Sequence, residues 1–171
     1  YLIQWPIPGC SLDTWHLMEK IYRSGRARSI GVSNFTEQHL TFLIENSDVI
    51  PAVNQIEFHP LYDRPDLIKF CQSRGIAVQA YAPLARGAYL HREILTKLAE
   101  KYNRSEAQIG LRWLIQKGVG AIPKTVRTDR LLENTQVFDF ELTEDEMMVL
   151  DSLNESYRIS GIPEDLTTYL G

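Results

Sequence analysis

The chain has 171 residues, 44% of them hydrophobic and 23% charged, ordinary globular values that give room for one domain with a real core. A formal charge of −4 argues against a phosphate-backbone binder, so no nucleic-acid partner is expected. Two cysteines, Cys10 and Cys71, make no disulfide scaffold, and no apolar run approaches the roughly 20 residues that span a bilayer. The composition therefore predicts a cytoplasmic α/β protein with no membrane partner.

The first segment, "YLIQWPIPG", lacks an initiator methionine and begins inside an apolar run that reads as a strand over Tyr1–Gln4. Leu12, Trp15, Met18, Ile21 and Tyr22 then recur at helical spacing, with Gly25 as a stop. A second strand is predicted over Arg28–Val32. Thr36 caps a helix carrying Leu40, Leu43 and Ile44. Ala52–Ile56 forms the third strand, and Pro65 suits the first turn of a helix that turns Leu67, Ile68 and Cys71 inward before Gly75. Ala77–Tyr81 is the fourth strand. Ile94, Leu95, Leu98 and Tyr102 mark one helix, and Ile109, Trp113 and Leu114 mark another after Ser105. Val119–Ile122 is the fifth strand. Thr143 with Glu146 makes a capping box before Met147 and Leu150.

Strand and helix alternate, and the first four strands recur about every 25 residues, as parallel βα units require. An open doubly wound sheet and part of a (β/α)8 barrel both fit this order. In either, polar residues past the strand ends are the functional candidates: Gln4, Ser33, Asn34, Gln55, Tyr81 and Lys124. A full barrel takes about 250 residues and eight strands. Five strands leave bare parallel edges, so the expectation is the later part of a longer protein. Its open edges would be covered by a missing amino-terminal segment or by self-association.

The most specific stretch is "AIPKTVRTDRLLEN" (121–134). Lys124 and Thr125 follow the strand, a short helix starts near Thr128, and Arg130, Glu133 and Asn134 share one of its faces. Lys124, Thr125 and Arg130 beside a helix start offer charge-assisted donors to a phosphate monoester. A solvated basic turn has the same composition.

The segment resembles the aldo-keto reductase pattern I-P-K-S-x-x-x-x-R-x-x-E-N, with Thr125 at the Ser position. "GVSNF" (31–35), "NQIEFHP" (54–60) and "YAPLARG" (81–87) are similar to further segments of that family, in its order. "YLIQWP" is similar to its L-I-H-W-P strand. The resemblance implies a parallel (β/α)8 TIM-barrel type, of which about the last five βα units are present. Residues 1–171 are then the carboxyl-terminal part of one barrel domain, with 155–171 as a tail shaping substrate choice through Tyr157, Ile159, Ile162 and Tyr169.

It further implies NADP(H) as cofactor and a small-molecule carbonyl, an aldehyde or ketone, as substrate. Ser33, Asn34 and Gln55 would hydrogen-bond the nicotinamide carboxamide, and Tyr81 would stack on its ring. Leu84 and Arg86 would lie along the pyrophosphate. Lys124, Thr125 and Arg130 would hold the adenosine 2′-phosphate, with Glu133 and Asn134 beside the adenine. The Gly-rich Rossmann fingerprint is absent: Gly118-Val119-Gly120 precedes its strand and lacks the third glycine.

In the family a tyrosine, tuned by a lysine and an aspartate, gives the proton, and these three lie upstream of the segment matched here. The family's histidine maps to Gln4. A glutamine can donate to a carbonyl oxygen but does not titrate near neutral pH. Gln4 with Trp5 is expected to line the substrate pocket, and the chain alone is expected to be inactive. Two alternatives remain: a non-catalytic NADP(H)-binding module, and a structural half-barrel that assembles with a partner. Glu57 and His59 read as structural rather than as metal ligands. Cys10 and Cys71 read as packing residues, and Arg23, Arg26 and Arg28 as a solvated cluster.

Overall fold

A computed structural model describes residues 1–160. In chain order its elements are β1 (Leu2–Ile3), α1 (Ser11–Arg23), β2 (Gly31–Ser33), α2 (Glu37–Glu45), β3 (Val53–Glu57), α3 (Pro65–Ser73) and β4 (Ala77–Tyr81). After a 3₁₀ turn (Ala85–Gly87) come α4 (Glu93–Tyr102), α5 (Glu106–Gln116), β5 (Val119–Ala121), α6 (Thr128–Thr135) and α7 (Glu144–Asp151). The strands lie in the sheet in the order β1-β2-β3-β4-β5. β1 pairs parallel with β2, and β2 with β3, in the registers Leu2↔Gly31 and Val32↔Asn54. Parallel neighbours joined through helices are what the alternating sequence predicts.

The residues fall into two compact units. One comprises Tyr1–Ile56 and Arg64–Gln79, with Ser160; the other comprises Glu57–Asp63 and Ala80–Ile159. In the first unit Trp15, Val32, Leu40, Leu43 and Ile56 are fully buried or nearly so. Gly31 is required there: a Cβ would stand 2.6 Å from both the Val53 side chain and its carbonyl oxygen. Glu19, buried on α1, accepts the backbone N–H groups of Asp48 (2.9 Å) and Val49 (2.8 Å), which fixes the loop before β3. In the second unit Phe58 stacks on Trp113 with ring centroids 5.2 Å apart, and the Trp113 indole donates to Asp151 at 2.7 Å.

Helix starts follow local chemistry. Thr36, Ser105 and Thr143 each cap a helix in a reciprocal box, with His39, Gln108 and Glu146 as the returning partners, so two backbone donors at each start are satisfied. Several predicted bounds shift. The first strand is Leu2–Ile3 rather than Tyr1–Gln4, and the Gln4 carbonyl accepts the Asn34 side-chain amide instead of a ladder N–H. The second is Gly31–Ser33 rather than Arg28–Val32, since register with β1 begins only at Gly31. Tyr22 is 40% exposed rather than packed. Cys10 is exposed at the N-cap of α1 while Cys71 is buried, which corrects the expectation that both pack. Arg23 pairs with Asp48 at 2.6 Å.

Candidate functional site

The predicted polar strand ends of the first unit converge. Ser33 ends β2, and its hydroxyl donates to the Gln55 carbonyl oxygen at 2.7 Å; the Asn34 N–H donates to the same oxygen at 2.9 Å. Asn34 sits at φ 65°, a left-handed conformation asparagine tolerates. Its side-chain amide reaches the Gln4 carbonyl oxygen (3.0 Å) and the Ser33 hydroxyl (3.2 Å). Gln4 therefore contributes its backbone to this group while its side chain is exposed, and Trp5 beside it is half-buried.

Two residues that sequence reasoning missed hold this group in place. Gln55 Nε2 donates to Gln79 Oε1 at 2.6 Å. Asn54, fully buried, donates through Nδ2 to the Phe35 carbonyl at 2.9 Å and accepts the Phe35 N–H at 3.4 Å. An amide making both contacts is a cross-strand substitute for a backbone ladder. Asn54 stands inside the quoted "NQIEFHP", and its buried-strand setting was the available signal.

In the second unit, β4 ends at Tyr81, which is half-buried. The turn after it carries three left-handed non-glycine residues, Ala82 (φ 48°), Ala85 (φ 48°) and Arg86 (φ 51°), before Gly87 (φ 93°). Such backbone costs energy and persists only where its surroundings enforce it. Tyr89 is one enforcer: fully buried, it donates through its hydroxyl to the Pro83 carbonyl at 3.1 Å. Burial pushes its phenol far above the usual range, so it stays protonated. Leu84 turns into the adjoining cavity, whereas Arg86 is exposed and does not line it.

That cavity, of about 390 Å³, gathers Lys124, Thr125, Arg130, Glu133 and Asn134 with Leu84. Ser105, Glu106, Arg127 and Asp129 also line it and were not selected from sequence, although Arg127 and Asp129 lie within the quoted motif. The charges are mostly committed. Arg127 forks onto Asp129, Nε to Oδ1 at 3.1 Å, and that bond holds the Asp129 carboxyl below its ordinary range. Burial tends to raise the Glu106 carboxyl, but the Thr96 hydroxyl (2.6 Å) and the His91 N–H (2.7 Å) bring it below the usual value. Glu133 accepts from the Ser105 hydroxyl.

Lys124 and Arg130 form no ion pair among the described residues. The Thr125 hydroxyl accepts the Arg127 N–H at 3.1 Å and reaches the Arg127 carbonyl only at 3.4 Å, so its proton is available to a better acceptor. The N-cap residue of α6, Arg127, makes no side-chain cap bond, while the Asp129 carboxylate draws on the first-turn N–H groups. This donor set fits a dianionic phosphate. No group of three or more His, Cys, Asp or Glu that could hold a metal occurs among the described residues.

Elsewhere in the second unit Glu57 and His59, both buried, hydrogen-bond at 3.2 Å. Glu57 also accepts the Ile159 N–H at 2.5 Å, and the Leu61 carbonyl accepts the N–H groups of Glu155 and Tyr157. The start of the predicted tail is thus tied to residues 57–61. Ile162 and Tyr169 lie outside the described residues. No helix among the described residues is long and apolar enough to cross a membrane.

The model of the aldo/keto reductase family matches residues 1–155. The glyoxal reductase of Bacillus subtilis (strain 168) is 44% identical over 166 residues, 97% of this chain and 60% of that protein. A 9,11-endoperoxide prostaglandin H2 reductase of Trypanosoma cruzi is 44% identical over 168 residues, 96% of this chain and 59% of that protein. Among solved structures, a Bombyx mori aldo-keto reductase in complex with NADP superimposes with a TM-score of 0.89 at 39% identity, over 99% of this chain and 61% of that one. The parallel βα frame predicted from sequence is therefore the frame of aldo-keto reductase structures. The chain spans about 60% of the length of the relatives it matches. It belongs to the aldo/keto reductase family of oxidoreductases.

Proposed function

We propose that the intact protein reduces an aldehyde or ketone with NADPH, and that this chain supplies most of the cofactor contacts. One observation carries the proposal: Lys124 and Arg130, which form no ion pair among the described residues, line a cavity of about 390 Å³ beside the start of α6. Both side chains are exposed, and with no ion pair among the described residues they are available to give charge-assisted hydrogen bonds to a phosphate. That favours NADPH over NADH. The solved relative that holds NADP supports the same cofactor. In this reading Lys124, Thr125 and Arg130 take the 2′-phosphate, Glu133 and Asn134 flank the adenine, and Leu84 packs along the cavity wall. Arg86, being exposed, contributes to the pyrophosphate only if its side chain swings in. Ser33, Asn34 and Gln55 take the nicotinamide amide, and Tyr81 its ring.

When bound, NADPH supplies a hydride. The proton comes from outside this chain, where the family places its aspartate, tyrosine and lysine. Gln4 can donate an amide hydrogen to the carbonyl oxygen, with Trp5 alongside. The relative described as a glyoxal reductase makes a small aldehyde the first substrate to test. Two free thiols, Cys10 and Cys71, suit a reducing cytoplasm.

Gln4 also favours a second reading, an NADP(H)-binding protein without turnover, because its amide replaces a titratable histidine. Incubating the intact protein with NADPH and glyoxal separates the two. Consumption of NADPH that depends on glyoxal supports the reductase. Saturable NADPH binding with no consumption across a panel of aldehydes and ketones contradicts it.

A further inference from the structure

We propose that Gln108 is a positioning residue for the cofactor's phosphate, acting by clamping α6; this rests on the cofactor reading above. The problem it solves is visible in α6 itself. Thr128–Thr135 buries none of its residues, so apolar packing does not fix the helix that carries Arg130, Glu133 and Asn134. A short helix without a buried face is marginal in water.

The hold is polar and comes from the start of α5. Gln108 is only 4% exposed. Its Oε1 accepts the Ser105 N–H at 2.9 Å, which closes the capping box of α5. Its Nε2 donates twice, to the Glu133 carbonyl at 3.1 Å and to the Gln136 carbonyl at 2.9 Å. These two oxygens lie at the carboxyl end of α6, where helix carbonyls are short of internal partners; the Glu133 oxygen also accepts the Gln136 N–H at 3.0 Å. The Ser105 hydroxyl adds a bond to the Glu133 carboxylate. One buried amide therefore uses its acceptor to start α5 and both its donors to stop α6. Arg130 sits within a turn of the Glu133 carbonyl, the nearer of the two, so its aim at the cavity depends on the clamp.

The two ends of the amide can be separated by substitution. Gln108→Glu keeps the acceptor, and glutamate is a favoured box partner at this position, but it has no N–H for the α6 carbonyls. Gln108→Leu removes both ends and serves as a second variant. In the intact protein, NADPH and NADH affinities and hydrogen exchange of residues 128–136 are measured for each. Gln108→Glu is expected to raise the NADPH dissociation constant about tenfold, as loss of two buried hydrogen bonds implies. NADH affinity should fall by less than NADPH affinity, since Glu133 and Asn134 on the same helix flank the adenine that both cofactors share, and the α6 amides should exchange faster.

Unchanged α6 exchange overturns the clamp. Faster exchange with unchanged NADPH affinity overturns the positioning role, leaving Gln108 as a local stabiliser. Equal losses for both cofactors also contradict it, because the effect would not be specific to the phosphate. Failure of the unsubstituted protein to bind NADPH would refute the cofactor reading itself, and α6 exchange would still decide whether the clamp exists.

Discussion

Gln55 donates its side-chain amide to the Gln79 carbonyl oxygen at 2.6 Å, so the orientation of one candidate nicotinamide contact is set by a residue on the next strand. Gln55 could otherwise rotate about its side-chain torsions. Gln79→Leu removes the acceptor at similar volume. It is expected to weaken NADPH and NADH alike by about threefold, with little change in melting temperature, because both side chains are only half-buried. Parallel titrations with the two cofactors check this. A change confined to NADPH would contradict it.

Asn54 is expected to matter for stability. It is fully buried and meets both the N–H and the carbonyl of Phe35. Asn54→Ala leaves these groups without partners, which costs about 1–3 kcal/mol. Denaturant unfolding measures the loss. Because Phe35 follows Ser33 and Asn34 directly, hydrogen exchange should rise first in residues 33–36.

Gly110 faces Tyr89 at very short range. A Cβ at this position would lie 2.1 Å from the Tyr89 hydroxyl oxygen and 2.8 Å from Cζ. Tyr89 is fully buried and bonded to Pro83, so it cannot swing away. Gly110→Ala should cost about 1–3 kcal/mol by overpacking. Adding Tyr89→Phe removes the nearest atom, and the double variant should recover part of the loss in thermal unfolding. A double variant no more stable than Gly110→Ala alone would rule out this contact as the cause.

Glu146 gives a pH dependence with a definite sign. Burial tends to raise its carboxyl, but bonds from Lys101 (2.6 Å), Tyr102 (2.6 Å) and the Thr143 backbone (2.8 Å) bring it down to about 2 from an ordinary 4.5. A folded-state value below the unfolded one contributes stability that is fully present above pH 4.5 and lost as pH falls towards 2. Glu146→Gln should therefore be less stable than the parent at neutral pH and lose less stability between pH 4.5 and 2. Matching acid-unfolding slopes for the two proteins would contradict the assignment.

Much of this was legible locally. β4 was read from sequence with its observed bounds, Ala77–Tyr81, because its apolar run is flanked by Gly75 and Pro83. The caps at Thr36 and Thr143 followed from side chains that bond their own neighbourhood. The cavity residues from Lys124 to Asn134 were found because they lie on one short continuous segment. What stayed hidden depends on partners distant in sequence. Nothing local to Gln79 announces Gln55, and nothing local to Gln108 announces the two α6 carbonyls it reaches. Gln4 drew attention for its side chain, yet the bond the structure gives it is the one its carbonyl accepts from Asn34. Backbone use of that kind leaves no trace in residue type.

The most direct test of the central claim is the ratio of NADPH to NADH affinity, before and after Lys124→Met and Arg130→Met are combined. Charge-assisted contacts to a phosphate contribute about 1.5–3 kcal/mol each. The parent protein should therefore prefer NADPH by about tenfold or more, and the double variant should lose that preference while its NADH affinity stays within about twofold. A parent that binds both cofactors equally, or a preference that survives the double substitution, would contradict the assignment of this cavity to the 2′-phosphate.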